Sequence, residues 1–383
     1  MKRRLIQLGL FFGLFFFVLP TSLFGSLQKL ENDTIDHNPL LKNIHQSITI
    51  GAVNGFLMPH HEDMQQMYSH ISGLQIQVLA TDKSRLGNTQ PVLQRLGFLL
   101  TYYDLGTKIS GKAISGALLV SSDVFNWQSI QHPSKYIKGS FKFGLGMGYL
   151  TEKYDAVNNP ENRAIGSHIN GFMQIGMSVE AHVFSRAKVF AEIGMSHFSN
   201  ACWQFPNLGI NLPYLQYGMG VDLYRNIDYK PKQKLKSAIW KKTLSLRMGK
   251  KEIDLDDDRI FYNALAEFTF ERYLNPFSNI RYSISYFHDR TYQFKKFEKL
   301  DPYSFGAASE LAVSVGYETR FGKWGIVADL GIYVYKPDFK KKTPYYEGIG
   351  LSYQINQNYK AILRLKANKT TADFAEFGLG YTF

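Results

Sequence analysis

The sequence predicts an all-β chain: a transmembrane antiparallel β-barrel of the bacterial outer-membrane type, with about twelve to sixteen strands. Three observations carry that expectation. Segments of ~10 residues alternate apolar with small or polar side chains along most of the 383 residues. Aromatic residues make up 15% of the chain, with 24 Tyr and 29 Phe, a load suited to girdles at two membrane interfaces. The chain also opens on an export signal. Alternation alone also fits a soluble sandwich. The combination points to a closed barrel, which pairs every backbone group when lipid offers no hydrogen bonds.

The N-terminus reads Met1-Lys2-Arg3-Arg4, an apolar run from Leu5 to Leu19, then Pro20 and small residues to Gly25-Ser26. This is the charge, apolar core and cleavage region of a signal peptide over 1–25. The run is short of the ~20 apolar residues that a spanning helix needs. No cysteine lies near the expected cut, so a lipid anchor is not expected. Residues 26–46 are polar and mixed, an N-terminal arm, and the barrel is expected over 47–383.

Candidate strands follow near 47–57, 72–81, 95–104, 112–122, 139–150, 169–183, 187–199 and 213–225. They continue near 241–249, 260–272, 279–287, 308–320, 323–335, 346–356, 359–367 and 374–383. In one, Phe141, Phe143, Leu145, Met147 and Tyr149 alternate with Lys142, Gly144, Gly146 and Gly148. In another, Leu215, Tyr217, Met219, Val221 and Leu223 alternate with Gln216, Gly218, Gly220 and Asp222. The minor face carries Gly, Ser, Gln, Glu, Asp and Lys on strand after strand, as the inner wall of a barrel does. The last strand places Ala375, Phe377, Leu379, Tyr381 and Phe383 on one face. It resembles the C-terminal strand by which the barrel assembly machinery recognises its clients, which makes that machinery an expected partner. No domain linker is evident. The basic run Tyr229 to Lys236 is the best candidate for a break, or else a long turn.

Net charge is +12, and three of those positive charges (Lys2, Arg3, Arg4) lie in the leader. A basic exported chain favours anionic polymers or anionic lipid head groups, and charge alone does not choose between them. Cys202 is the only cysteine, so no internal disulfide forms. No phosphate-cradling glycine loop or Cys/His metal spacing appears, so neither cofactor nor metal is expected, and no nucleic-acid partner.

One strand ends unusually. Val189, Ala191, Ile193, Met195, His197 and Ser199 share its apolar face. A base and a hydroxyl therefore finish a stripe that should touch lipid, ~6.5–7 Å apart at Cα. Polar groups on such a stripe are costly within the hydrocarbon, though cheap in the head-group zone above it. A serine hydroxyl becomes a nucleophile when a base takes its proton, and the base needs a third group to orient it. Asn211, returning on the next strand, is positioned to be that group. Barrels of this class keep both termini in the periplasm, so the strand runs upward and its end faces outward from the cell.

These residues resemble a family: the outer-membrane lipid A 3-O-deacylases, or PagL-like acyloxyacyl hydrolases. Its pattern, His-x-Ser-Asn and then Asn-x-Gly followed by an acid or amide, reads here as His197-Phe198-Ser199-Asn200, then Asn207-Leu208-Gly209-Ile210-Asn211. A weaker likeness extends upstream through 144–150 and 164–167, so that it covers roughly 139–225. The resemblance implies release of an ester-linked acyl chain from lipid A in lipopolysaccharide, with outer-membrane lipid around the barrel. It implies His197 as base and Ser199 as nucleophile. Asn200, Asn207 and Gly209 would hold the oxyanion or position the substrate. There are two departures. The characterised enzyme has glutamate where this chain has Asn211; an amide still accepts a hydrogen bond from the imidazole but cannot offset imidazolium charge. The chain is also over twice the length of the minimal eight-stranded enzyme, like larger, Bacteroidetes-type members, and the role of 226–383 is not evident.

Other clusters read first as solvated loops: His60-His61 with Glu62 and Asp63, with a metal as the alternative, and the acidic group Asp254, Asp256, Asp257 and Asp258, with divalent-cation contact as the alternative; Lys336 with Lys340 to Lys342 reads as a solvated turn or as a contact to lipid phosphates. The alternative function is a non-catalytic barrel, a porin or structural protein that keeps the motif, since sixteen strands can enclose water.

Overall fold

Many inward residues along these strands are charged, polar or small and the outward ones are apolar, the reverse of a soluble protein. In the computed structural model this pattern gives sixteen antiparallel strands, each overlapping an expected segment. The structure describes residues 44–82, 94–128, 136–184, 186–223, 240–253, 255, 259–275, 278–293, 305–321, 323–336, 344–368 and 371–383. The leader, most of the expected arm, the basic run at 229–236 and the acidic cluster lie outside the described residues.

The strands are β1 (Ile44–Leu57), β2 (Ser69–Asp82), β3 (Gln94–Asp104), β4 (Lys112–Gln128), β5 (Tyr136–Leu150), β6 (Ile169–His182), β7 (Ala187–Ser199) and β8 (Ile210–Leu223). They continue as β9 (Trp240–Lys251), β10 (Phe261–Asn275), β11 (Ser278–His288), β12 (Ser309–Phe321), β13 (Trp324–Tyr335), β14 (Tyr345–Gln354), β15 (Tyr359–Asn368) and β16 (Thr371–Thr382). Each has at least the ~9–11 residues that a tilted strand needs to cross a bilayer.

The strand number agrees with the expectation, but the closure differs from one large ring. β1 pairs with β8, Gln46 opposite Leu223 through Gly55 opposite Tyr214, and seals a first barrel of eight strands. β16 pairs with β9, Phe377 opposite Met248 through Thr382 opposite Thr243, and seals a second. The division falls between Leu223 and Trp240, the stretch that contains the basic run. A ring of eight is just wide enough for side chains to fill, so the water-filled lumen of the porin alternative has no sixteen-stranded ring to form in.

Charge fills both lumens. In the first, Lys188 reaches Glu180 at 2.9 Å and Asp222 at 3.2 Å, and Lys142 reaches Glu192 at 2.8 Å. In the second, Arg364 lies 3.1 Å from both Glu267 and Asp329, and Arg247 is 2.9 Å from Glu267. Buried charges are tolerable only when paired in this way. Outside, Ile193 is 62%, Met219 65% and Met248 68% exposed, whereas inward Lys188 and Glu192 are 2% exposed. Apolar-out and polar-in is the pattern of a membrane barrel. Lys336, expected in a solvated loop, is instead buried, 3.6 Å from Glu310 and over the Tyr333 ring.

At one rim of the first barrel the lumen turns apolar. Phe198 packs against Phe172 and Tyr103 at 5.0 and 6.2 Å between ring centres. Met64 and Met67, from a 3-10 helix at Glu62–Met67 between β1 and β2, are fully buried in the same cluster. This plug supports the end of β7 from inside.

Candidate active site

Alternation on β7 decides where the site looks. Ser196 and Phe198 point into the plug, so His197 and Ser199 point to the outside of the barrel, both half-buried. Asn211 sits opposite His197 in the β7–β8 ladder, on the same outward face. The two side chains meet, His197 Nδ1 to Asn211 Oδ1 at 2.7 Å. Because the amide oxygen can only accept, Nδ1 carries the proton and Nε2 is left with its lone pair, the form a general base requires.

Asn211 is held in turn by a residue the motif does not contain. Its Nδ2 donates to His60 Nδ1 at 3.2 Å, and His60 Nε2 reaches the Leu208 carbonyl at 2.9 Å. All three bonds are satisfied by one consistent direction: His197 to Asn211, Asn211 to His60, His60 to Leu208. His60 therefore fixes which way the Asn211 amide faces. The sequence alone places it in a solvated loop. Only the β1–β8 seam, extended by the Met58–Asn211 bridge, brings residue 60 beside residue 211. Its neighbour His61 has a local role, accepting the Asp63 N–H at the start of the 3-10 helix.

Gly209 has a positive φ of 81°, and a Cβ there would lie 2.7 Å from His197 Cε1. Glycine is thus required twice, for the backbone conformation and for the close approach of the imidazole. Ser199 donates its hydroxyl to Asn207 Oδ1 at 3.1 Å, and that oxygen also takes the Asn200 N–H at 2.8 Å. No hydrogen bond joins Ser199 to His197 among the described residues. The Asn200 side chain is buried and donates to the Gln204 carbonyl at 2.6 Å. Asn200 and Asn207 are thus engaged in shaping the loop. The Ala201 N–H, 3.3 Å from Ser199 Oγ, is the amide aimed at the hydroxyl itself.

The turn after Ser199 is unusual. Ala201 and Cys202 are successive non-glycine residues at φ 55° and 59°. Such backbone costs about 1–2 kcal/mol per residue and persists where its surroundings impose it. From one side, Gly166 lies against the Phe205 and Gln204 carbonyls, where a Cβ would clash, and Gly209 N–H donates to Ala164 at 3.0 Å. Cys202 is sheltered, and burial pushes its thiol pKa up, which disfavours the reactive thiolate.

Below the site on the outer wall runs an apolar groove of ≈ 610 Å³, lined by Phe56, Phe141, Ile175, Ile193, Met195 and Leu215 among others. Met195 and Pro213 are partners in the ladder, two residues along from His197 and Asn211. The groove therefore begins beside the imidazole.

Comparison with known families decides the relationship. The lipid A 3-O-deacylase (PagL) model matches residues 60–220, and the acyloxyacyl hydrolase, C-terminal domain model matches 240–383. The chain belongs to the PagL family. The two matches divide where the two barrels divide. The family makes the chain a lipid A hydrolase of the outer membrane. No curated protein matches this chain. Among solved structures, it is similar to a triple mutant of the Rhodopseudomonas blastica porin (10% identity, 88% of this chain and 100% of that one, TM-score 0.17). It is also similar to the translocator domain of the autotransporter NalP from Neisseria meningitidis (12% identity, 94% and 95%, TM-score 0.21).

Proposed function

We propose that this PagL-family protein is a serine esterase that removes an ester-linked acyl chain from lipid A. The observation that carries it is the His197–Asn211 bond on the outward face of β7, at the head of an apolar groove. Ser199 turns from Asn207 towards His197 Nε2, which takes its proton as Oγ attacks the ester carbonyl. The Ala201 N–H supports the oxyanion. His197 then hands the proton to the departing sugar alkoxide. Water hydrolyses the acyl-serine by the same route, returning the serine hydroxyl and a free fatty acid. Asn211 holds the imidazole tautomer and accepts its Nδ1–H hydrogen bond throughout. It offers no negative charge, so the imidazolium is less stabilised than a carboxylate would make it. The groove accounts for the substrate class, since it lies open to the lipid side and takes the acyl tail while the head group stays at the rim.

We infer an exported chain with its leader at 1–25, and assembly through the strand ending in Phe383. The enzyme is tested with purified full-length protein in detergent and lipopolysaccharide, reading lipid A by mass spectrometry. Ser199→Ala and His197→Ala are each expected to abolish fatty-acid release while the barrels still assemble. Release by either variant at the native rate would end the proposal.

A further inference from the structure

The loop that follows Ser199 is held from outside its own barrel. Glu252, the residue after β9, accepts the Phe205 N–H on its carboxylate at 2.8 Å. Its own N–H donates to the Cys202 carbonyl at 3.0 Å. Lys250 stands over the Trp203 ring at 5.5 Å and lies 3.4 Å from Glu252. Cys202 Sγ is 3.5 Å from the Ala372 carbonyl at the start of β16. The end of β9 and the start of β16 thus grip residues 202–205, against which Gly166 closes from the first barrel. The gripped segment connects directly to Ser199. Gln204 takes the Asn200 amide, and Asn207 takes both the Asn200 N–H and the Ser199 hydroxyl.

We infer that the second barrel positions the catalytic loop of the first, and that Glu252 is the positioning residue through which it does so. The inference rests on Ser199 being the nucleophile proposed above. Glu252 touches none of the reacting groups. It fixes a turn with two successive left-handed non-glycine residues, a conformation the loop does not favour by itself. Displacement of a nucleophile by ~1 Å costs ~10²-fold in rate. A rim that holds the loop at two points therefore acts on catalysis without meeting the substrate. This gives residues 240–383 a task in the same reaction.

The test uses the full-length protein in detergent, with Glu252→Ala and Glu252→Gln. Cys202, the only cysteine, is a built-in reporter. Part-buried against the Ala372 carbonyl, it is expected to react slowly with a maleimide in the native protein. Glu252→Ala is expected to speed alkylation by about tenfold or more and to lower kcat by a similar factor with KM changed less than about twofold. Glutamine still accepts the Phe205 N–H, so Glu252→Gln is expected to stay near native in both. Glu252→Asp, too short to reach, replaces the alanine variant if that fails to assemble. Unchanged alkylation in Glu252→Ala overturns the grip. Faster alkylation with unchanged kcat overturns the positioning role. Native release by Ser199→Ala would instead refute the nucleophile while the alkylation result still reports on the grip.

Discussion

A double-mutant cycle on His60 and Asn211 isolates the hydrogen-bond chain behind the base. His60→Ala removes one neutral bond to Asn211, worth about 0.5–1.5 kcal/mol net. Felt wholly in the transition state, that is a drop of about 2- to 13-fold in kcat. Asn211→Leu keeps the side-chain bulk on the lipid face and removes the 2.7 Å acceptor of His197. In the transition state that bond is made to an imidazolium and is worth about 1.5–3 kcal/mol, so kcat falls about 10- to 150-fold. His60 reaches His197 only through Asn211. The double variant is therefore expected to be no slower than Asn211→Leu alone, with a coupling energy equal to the whole His60→Ala effect. The assay is the initial rate of fatty-acid release from lipopolysaccharide in detergent, with assembly checked by heat-modifiable migration on gels. If the two losses simply multiply, His60 does not act through Asn211 and the chain of three bonds is not the device described.

Gly209→Ala puts a left-handed residue under strain of about 1–2 kcal/mol. It also pushes a methyl into the imidazole, so release should fall about 100-fold with the barrels intact on gels. Met195→Trp fills the groove beside His197 and should shift preference towards shorter chains across a series of p-nitrophenyl esters; an unchanged profile removes the groove from the substrate path. Arg364→Met leaves Glu267, Asp329 and Glu376 facing one another around a lost cation. It should cost about 3–5 kcal/mol, read as a lower urea midpoint for the protein refolded in detergent.

Much of this was legible along the chain because the controlling pattern is local. Successive side chains on a strand point to opposite faces, so the alternation through β5, β6 and β8 marked the strands and their lipid side. The same rule set His197 and Ser199 outward with the register still unknown. Asn211 was reachable too, since it opens the strand that follows β7 and so returns beside it.

What lay beyond the sequence was which edges meet. Backbone hydrogen bonds are the same for every residue, so alternation serves one ring of sixteen and two rings of eight equally well. Tertiary structure chose two, by sealing β1 to β8 and β16 to β9. That seam carries His60 across 151 positions to Asn211. The packing of one rim on another brings Glu252 to Phe205. Both are contacts between distant segments, and side-chain order along a strand holds no record of them.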